Sequence, residues 1–103
     1  MRVTLLGTGC PPPNPRRRGP ATLVSHGDER LLVDAGSGVT VQLALAGVRI
    51  VDLHRILVTH LHSDHVIDLG HILLSRWILG QNAPLEVLGP AGLRAHVVSS
   101  PDR

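Results

Sequence analysis

The stretch "ILVTHLHSDHVIDLG", residues 56–70, sets four metal-capable side chains, His60, His62, Asp64 and His65, directly after an apolar run. "RILVT" (55–59) is continuous apolar sequence between polar residues, the pattern of a fully buried strand. Ligand-type residues that begin where such a strand stops lie at its carboxyl end, where open α/β folds place their sites. Imidazole and carboxylate together suit zinc, and also iron or manganese. Asp64 and His65 are neighbours and point in different directions, so one tetrahedral ion would hardly use all four side chains. Two ions fit the spacing better, one served by His60 and His62, the other by Asp64 and His65.

Upstream, "RVTLLG" (2–7) reads as a short buried strand stopped by Gly7 and Gly9, and "CPPPNPRRRGP" (10–20) as a proline-rich loop. "ATLVSH" (21–26) and "RLLVDAG" (30–36) read as two strands, joined closely enough by "GDE" for an antiparallel hairpin. Residues 37–48 are ambiguous by periodicity, and Ser37 as N-cap with Gly47 past the end favours a helix. Downstream, "DLGHILLSRWILG" (68–80) has a helical stripe of Leu69, Ile72, Leu73, Trp77 and Ile78, stopped by Gly80. "LEVLG" (85–89) is a further strand, and "AGLRAHVVSS" (91–100) a short terminal helix. The alternation predicts a mixed α/β layer architecture.

Composition bounds the rest. The chain has 103 residues, 43% of them hydrophobic, with one Trp and no Phe or Tyr. That allows one domain at most, with a core of Leu, Val, Ile and Ala, and it argues against aromatic stacking on nucleic-acid bases. A net charge of +2 does not by itself imply a nucleic-acid partner. A single cysteine, Cys10, excludes an internal disulfide framework and fits a reducing compartment. No segment has the apolar length of a membrane span or a signal peptide, so a cytoplasmic location without membrane attachment is expected.

"THLHSDH" (59–65) resembles the metal-binding signature of the metallo-β-lactamase superfamily. "LLGTGCPPPNPRRRGPATLV" resembles the opening strand and loop of its ribonuclease Z and arylsulfatase-like branches. "LLVDAGSGVTVQLALAGV" resembles their Asp-x-Gly turn and first helix, and "LEVLGPAGLRAHV" the strand and helix that follow. The fold this implies is the N-terminal half of an αββα sandwich, a mixed sheet with helices on its outer face, spanning residues 1–103. The function it implies is a two-metal hydrolase. His60 and His62 would bind the first ion and Asp64 and His65 the second, with zinc as the expected metal and iron or manganese as alternatives. Water bridging the ions would attack a phosphodiester or ester centre, Asp64 would orient it and handle its proton, and Asp34 would support the ligand loop. The family completes its site with a histidine, a bridging aspartate and a final histidine further downstream. His26, His54, His71 and His96 do not match those positions, and Ser63 stands where many ribonuclease Z sequences carry Gly. The expectation is therefore a half-site with little activity alone. Its partners would be an anionic substrate such as RNA, together with a second copy of the chain or a C-terminal half. The alternative is a non-catalytic half-domain that binds metal weakly or acts only when complemented.

Other features carry less. Three prolines after "GTGC" forbid the helix that a dinucleotide fingerprint needs. Arg16, Arg17 and Arg18 form a basic run that could hold a phosphate backbone, although short charge runs usually are solvated. Cys10 reads as a buried thiol, His71 as a capping or core residue, Trp77 as core, and His26, His54 and His96 as surface or turn residues.

Overall fold

A computed structural model describes residues 1–10 and 12–93. Five strands, β1 (Arg2–Gly7), β2 (Ala21–His26), β3 (Glu29–Val33), β4 (Arg55–Leu57) and β5 (Glu86–Leu88), form one sheet in sequential order. Helix α1 (Val39–Leu45) links β3 to β4, and helix α2 (Leu69–Ile78) links β4 to β5. The first three strands pair antiparallel and β3, β4 and β5 pair parallel, so the expected mixed sheet is observed. The change of sense follows from the connections. Gly27 at φ 59° allows a two-residue turn between β2 and β3, whereas a parallel return requires a crossover, which each helix provides.

Alternation along the strands separates two faces. Ala21, Leu23, Leu32, Ile56 and Val58 point into a core shared with Val39 and Leu43 of α1 and Leu69 and Ile72 of α2. The opposite face carries a cross-strand row, Leu5–Thr22–Val33–Leu57–Leu88, set by register. Leu5 is 69% exposed and Leu88 47% exposed, so this face is open among the described residues. Two expectations change here. β1 is an edge strand with Val3 and Leu5 outward, and β4 is buried on one face only, with Arg55 and Leu57 exposed.

The helices begin and end differently from their sequence signals. Gly38, in the left-handed region at φ 80°, is the N-cap of α1, and Ser37 makes no capping bond. The first turn is instead served from α2, because the Thr40 N–H and hydroxyl both donate to Asp68 Oδ2 at 2.9 Å. Gly47 and Gly80 do take positive φ past the helix ends, as their positions suggested. In α2 the inward stripe is Leu69, Ile72 and Arg76. Trp77 and Ile78 are 72% and 66% exposed, so neither belongs to the core. Position 76 lies seven residues after Leu69 on the same helical face, and an arginine stem can occupy it if its head finds acceptors. The Arg76 guanidinium donates to the carbonyls of Leu53, Val51 and Ala83, tying α2 to the α1–β4 connection and to the loop before β5. Burial lowers its pKa from the ordinary arginine value. The terminal helix expected over 91–100 lies, beyond Leu93, outside the described residues, as does His96.

Candidate metal centre

The parallel strands bring two loops to one edge of the sheet. The chain leaves β3 at Asp34 and leaves β4 at Val58–Thr59. The Asp34 N–H still donates to the Leu57 carbonyl at 2.8 Å, which holds the two exits side by side. Asp34 takes φ 64°, a left-handed conformation that Asp and Asn tolerate better than other side chains. That twist directs its carboxylate back toward the loop after β4. Ala35 then clips the ligand loop from both sides, its N–H donating to the His65 carbonyl at 2.7 Å and its carbonyl accepting from Asp68 N–H at 2.9 Å. Gly36 admits the proline-rich loop, since a Cβ there would meet the Gly19 carbonyl carbon and the Pro20 nitrogen at 2.4 Å.

Asp34 is buried, and its oxygens collect donors from residues 25 and 31 positions away. The Thr59 N–H donates to Oδ1 at 2.8 Å and the Thr59 hydroxyl to the carboxylate at 2.9–3.1 Å. His65 Nδ1 lies 2.8 Å from Oδ2. A carboxylate offers only lone pairs, so His65 is the donor and its Nε2 is left free. Residues 63–65 make one turn of 3₁₀ helix, which carries His65 inward to Asp34. His62 stays exposed, and His60 and Asp64 are half-buried. The ring centroids of His60 and His65 are 3.9 Å apart and those of His60 and His62 are 4.7 Å apart. Asp64 Oδ2 lies 3.5 Å from His65 Nε2.

All four ligand candidates therefore meet at one rim. Among the described residues no group of three or more His, Cys, Asp or Glu side chains is drawn together tightly enough to chelate an ion as it stands. The donor chemistry nevertheless fits a divalent cation. His65 donates through Nδ1 to a buried carboxylate, the arrangement that orients metal-binding histidines and raises their basicity. Its free nitrogen stands near a carboxylate oxygen with which a cation would be shared.

The remaining candidates distribute differently. Arg16, Arg17 and Arg18 are exposed. Their loop is anchored beside the site by Gly9 N–H on the Arg18 carbonyl at 2.7 Å and Gly19 N–H on the Ser37 carbonyl at 2.9 Å. Cys10 is exposed, against the expectation of a buried thiol, because the proline-rich loop runs over the surface. His71 is exposed and meets Thr40 Oγ1 at 3.0 Å, so it belongs to the α1–α2 contact. His26 and His54 are on the surface as expected. Sequence reasoning gave no role to Thr59, Thr40 or Asp68. Thr59 adjoins the motif and was visible there, whereas the Thr40–Asp68 pair, 28 residues apart, left no local signal.

A family profile for the metallo-beta-lactamase superfamily matches residues 14–91. The chain belongs to that superfamily. Ribonuclease Z of Mycobacterium sp. (strain KMS) is 49% identical over 94 residues, and ribonuclease Z of Mycolicibacterium paratuberculosis is 50% identical over 95. Each match covers 89% of this chain, which spans about a third of those relatives (33% and 34%). Human tRNase Z, short form, superposes on 95% of the chain with a TM-score of 0.85 at 36% identity, using 37% of its own length. The metallo-beta-lactamase fold protein YhfI from Bacillus subtilis superposes on 90% with a TM-score of 0.80 at 28% identity. The superfamily uses divalent metal ions, consistent with the donors gathered here.

Proposed function

We propose that this chain supplies the metal-binding, N-terminal portion of a ribonuclease Z-like endonuclease that hydrolyses a phosphodiester bond in precursor tRNA. The observation that carries the reading is the 2.8 Å bond from His65 Nδ1 to buried Asp34, which spends a buried carboxylate on orienting one imidazole. His60, His62, Asp64 and His65 would hold two divalent ions, zinc first by donor type and iron or manganese as alternatives. Such ions, when bound, lower the pKa of coordinated water and offset charge on a phosphoryl oxygen. Asp64, on the rim beside His65, orients the attacking water and accepts its proton. Arg16, Arg17 and Arg18, exposed on a loop fastened to the Asp34–Gly38 turn, hold the RNA backbone by charge. The likeness to ribonuclease Z and tRNase Z supports RNA as the substrate over a sulfate ester or lactone. A cytoplasmic setting suits that substrate.

The test is cleavage of a precursor tRNA by the full-length protein with added zinc, with chelator, and as the His62→Ala variant. Zinc-dependent cleavage abolished by chelator and by the substitution is expected. Cleavage that survives His62→Ala would sink the ligand assignment. A second reading, a half-site that acts only when complemented by another chain, is favoured by the exposed His62. Zinc binding without cleavage, restored by the missing portion of a relative, would support it.

A further inference from the structure

We infer that Thr59 is a positioning residue that fixes the tautomer of His60, so that one buried carboxylate, Asp34, orients two imidazoles of the site. The inference rests on the metal-site reading for its purpose, but its geometry stands independently. The Thr59 hydroxyl has one hydrogen. Its oxygen lies 2.9 Å from Asp34 Oδ2 and 3.1 Å from Oδ1. The carboxylate cannot donate, and two oxygens at 2.9 Å without a hydrogen between them repel. The hydrogen of Thr59 is therefore committed to Asp34.

The same hydroxyl oxygen lies 3.0 Å from His60 Nδ1. With its hydrogen spent, Thr59 can only accept there, so His60 must carry a hydrogen on Nδ1. A neutral His60 ring then presents its lone pair at Nε2, as His65 does. The order of bonds is His60 Nδ1–H to Thr59 hydroxyl, Thr59 hydroxyl to Asp34, and His65 Nδ1–H to Asp34. The Thr59 N–H on Asp34 Oδ1 at 2.8 Å holds the residue in register, so the hydroxyl is not free to turn away. Residue 59 thus needs a β-hydroxyl rather than bulk.

The experiment uses the metal-free full chain and reads each histidine tautomer by long-range ¹H–¹⁵N correlation NMR. The wild type, Thr59→Val and Thr59→Ser are compared, and zinc affinity is measured in parallel by calorimetry. Expected is the Nδ1–H form for His60 and His65 in the wild type. In Thr59→Val, His60 shifts toward the Nε2–H form while His65 stays unchanged, and zinc affinity falls about ten- to hundredfold. Thr59→Ser restores both. An Nε2–H tautomer for His60 in the wild type overturns the inference without any variant, as does a Thr59→Val spectrum with the His60 tautomer intact. If the tautomers behave as stated and the wild type binds no zinc, the metal-site reading fails and the relay stands.

Discussion

Replacing Asp34 by Asn separates the carboxylate's chemistry from its shape. Asn keeps the volume and tolerates φ 64° as well as Asp does, so backbone strain is not altered. What changes is the donor balance. Three hydrogens now converge on the two oxygens, from Thr59 N–H, Thr59 Oγ1 and His65 Nδ1. An amide has one oxygen and an NH₂ group. If the oxygen stays toward Thr59 N–H, the NH₂ faces His65 Nδ1, and the ring must move its hydrogen to Nε2. If the amide flips, the NH₂ faces the Thr59 N–H, leaving two buried donors opposed. Either way at least one bond to a charged acceptor is lost, about 1.5–3 kcal/mol, and the flipped form adds an unsatisfied donor at about 1–3 kcal/mol. The expected loss of stability is about 3 kcal/mol. Urea unfolding followed by circular dichroism measures it as a lower midpoint with an unchanged slope, a fall of about 1.5–3 M for a slope of about 1–2 kcal/mol per M. Zinc affinity should fall with it, by about ten- to hundredfold, because the Nε2 lone pair of His65 is no longer available. A stability change below about 0.5 kcal/mol together with wild-type zinc affinity would refute the reasoning, since it would mean that Asp34 neither satisfies these donors nor orients His65.

Other substitutions test the frame around the site. Arg76→Leu leaves the carbonyls of Leu53 and Ala83 without their donor, Val51 keeping the Gln81 side-chain amide, and should destabilise the protein by about 2–4 kcal/mol; a thermal midpoint equal to wild type would show that the buried guanidinium contributes nothing. Trp77→Ala, on the exposed side of α2, should change stability by no more than about 0.5 kcal/mol, and a loss above about 2 kcal/mol would restore Trp77 to the core. Asp68→Ala removes the acceptor from the first turn of α1 and should cost about 1 kcal/mol, with faster amide hydrogen exchange at Thr40; unchanged exchange there would mean that the helix start needs no cap from α2.

The sequence was most legible where one residue type has one use. Glycines at 47 and 80 announced the helix ends because few other residues take positive φ, and both do so. The order of strands and helices followed from apolar runs and punctuation, and the four ligand candidates from their spacing. It was least legible where a side chain's role is set across the fold. Hydrophobicity assigned Trp77 to the core and passed over Arg76, although the helical spacing from Leu69 and Ile72 reaches 76 before 77. Ser37 had the chemistry of an N-cap, but Gly38 fits beneath the Arg18 stem, where a Cβ would come within 2.9 Å of Arg18 Cδ, and the cap moved to Asp68. Apolar runs at β1 and β4 look buried on both faces, yet among the described residues one face of the sheet is open. An apolar side chain records that its surface wants covering and does not say by which part of a protein.

The position of the candidate site at a rim follows from the strand order. In open parallel sheets a crevice forms where consecutive connections leave in opposite directions at a reversal of order. Here the order is sequential from β1 to β5, so the exits of β3 and β4 lie side by side with no such reversal between them. The two loops bind each other through Asp34, Thr59, Ala35 and His65. These bonds fix two imidazoles at the rim. A rim so ordered can orient ligand atoms and yet leave His62 exposed. One carboxylate beneath the rim thus sets the direction of two of its donor atoms, the Nε2 lone pairs of His60 and His65.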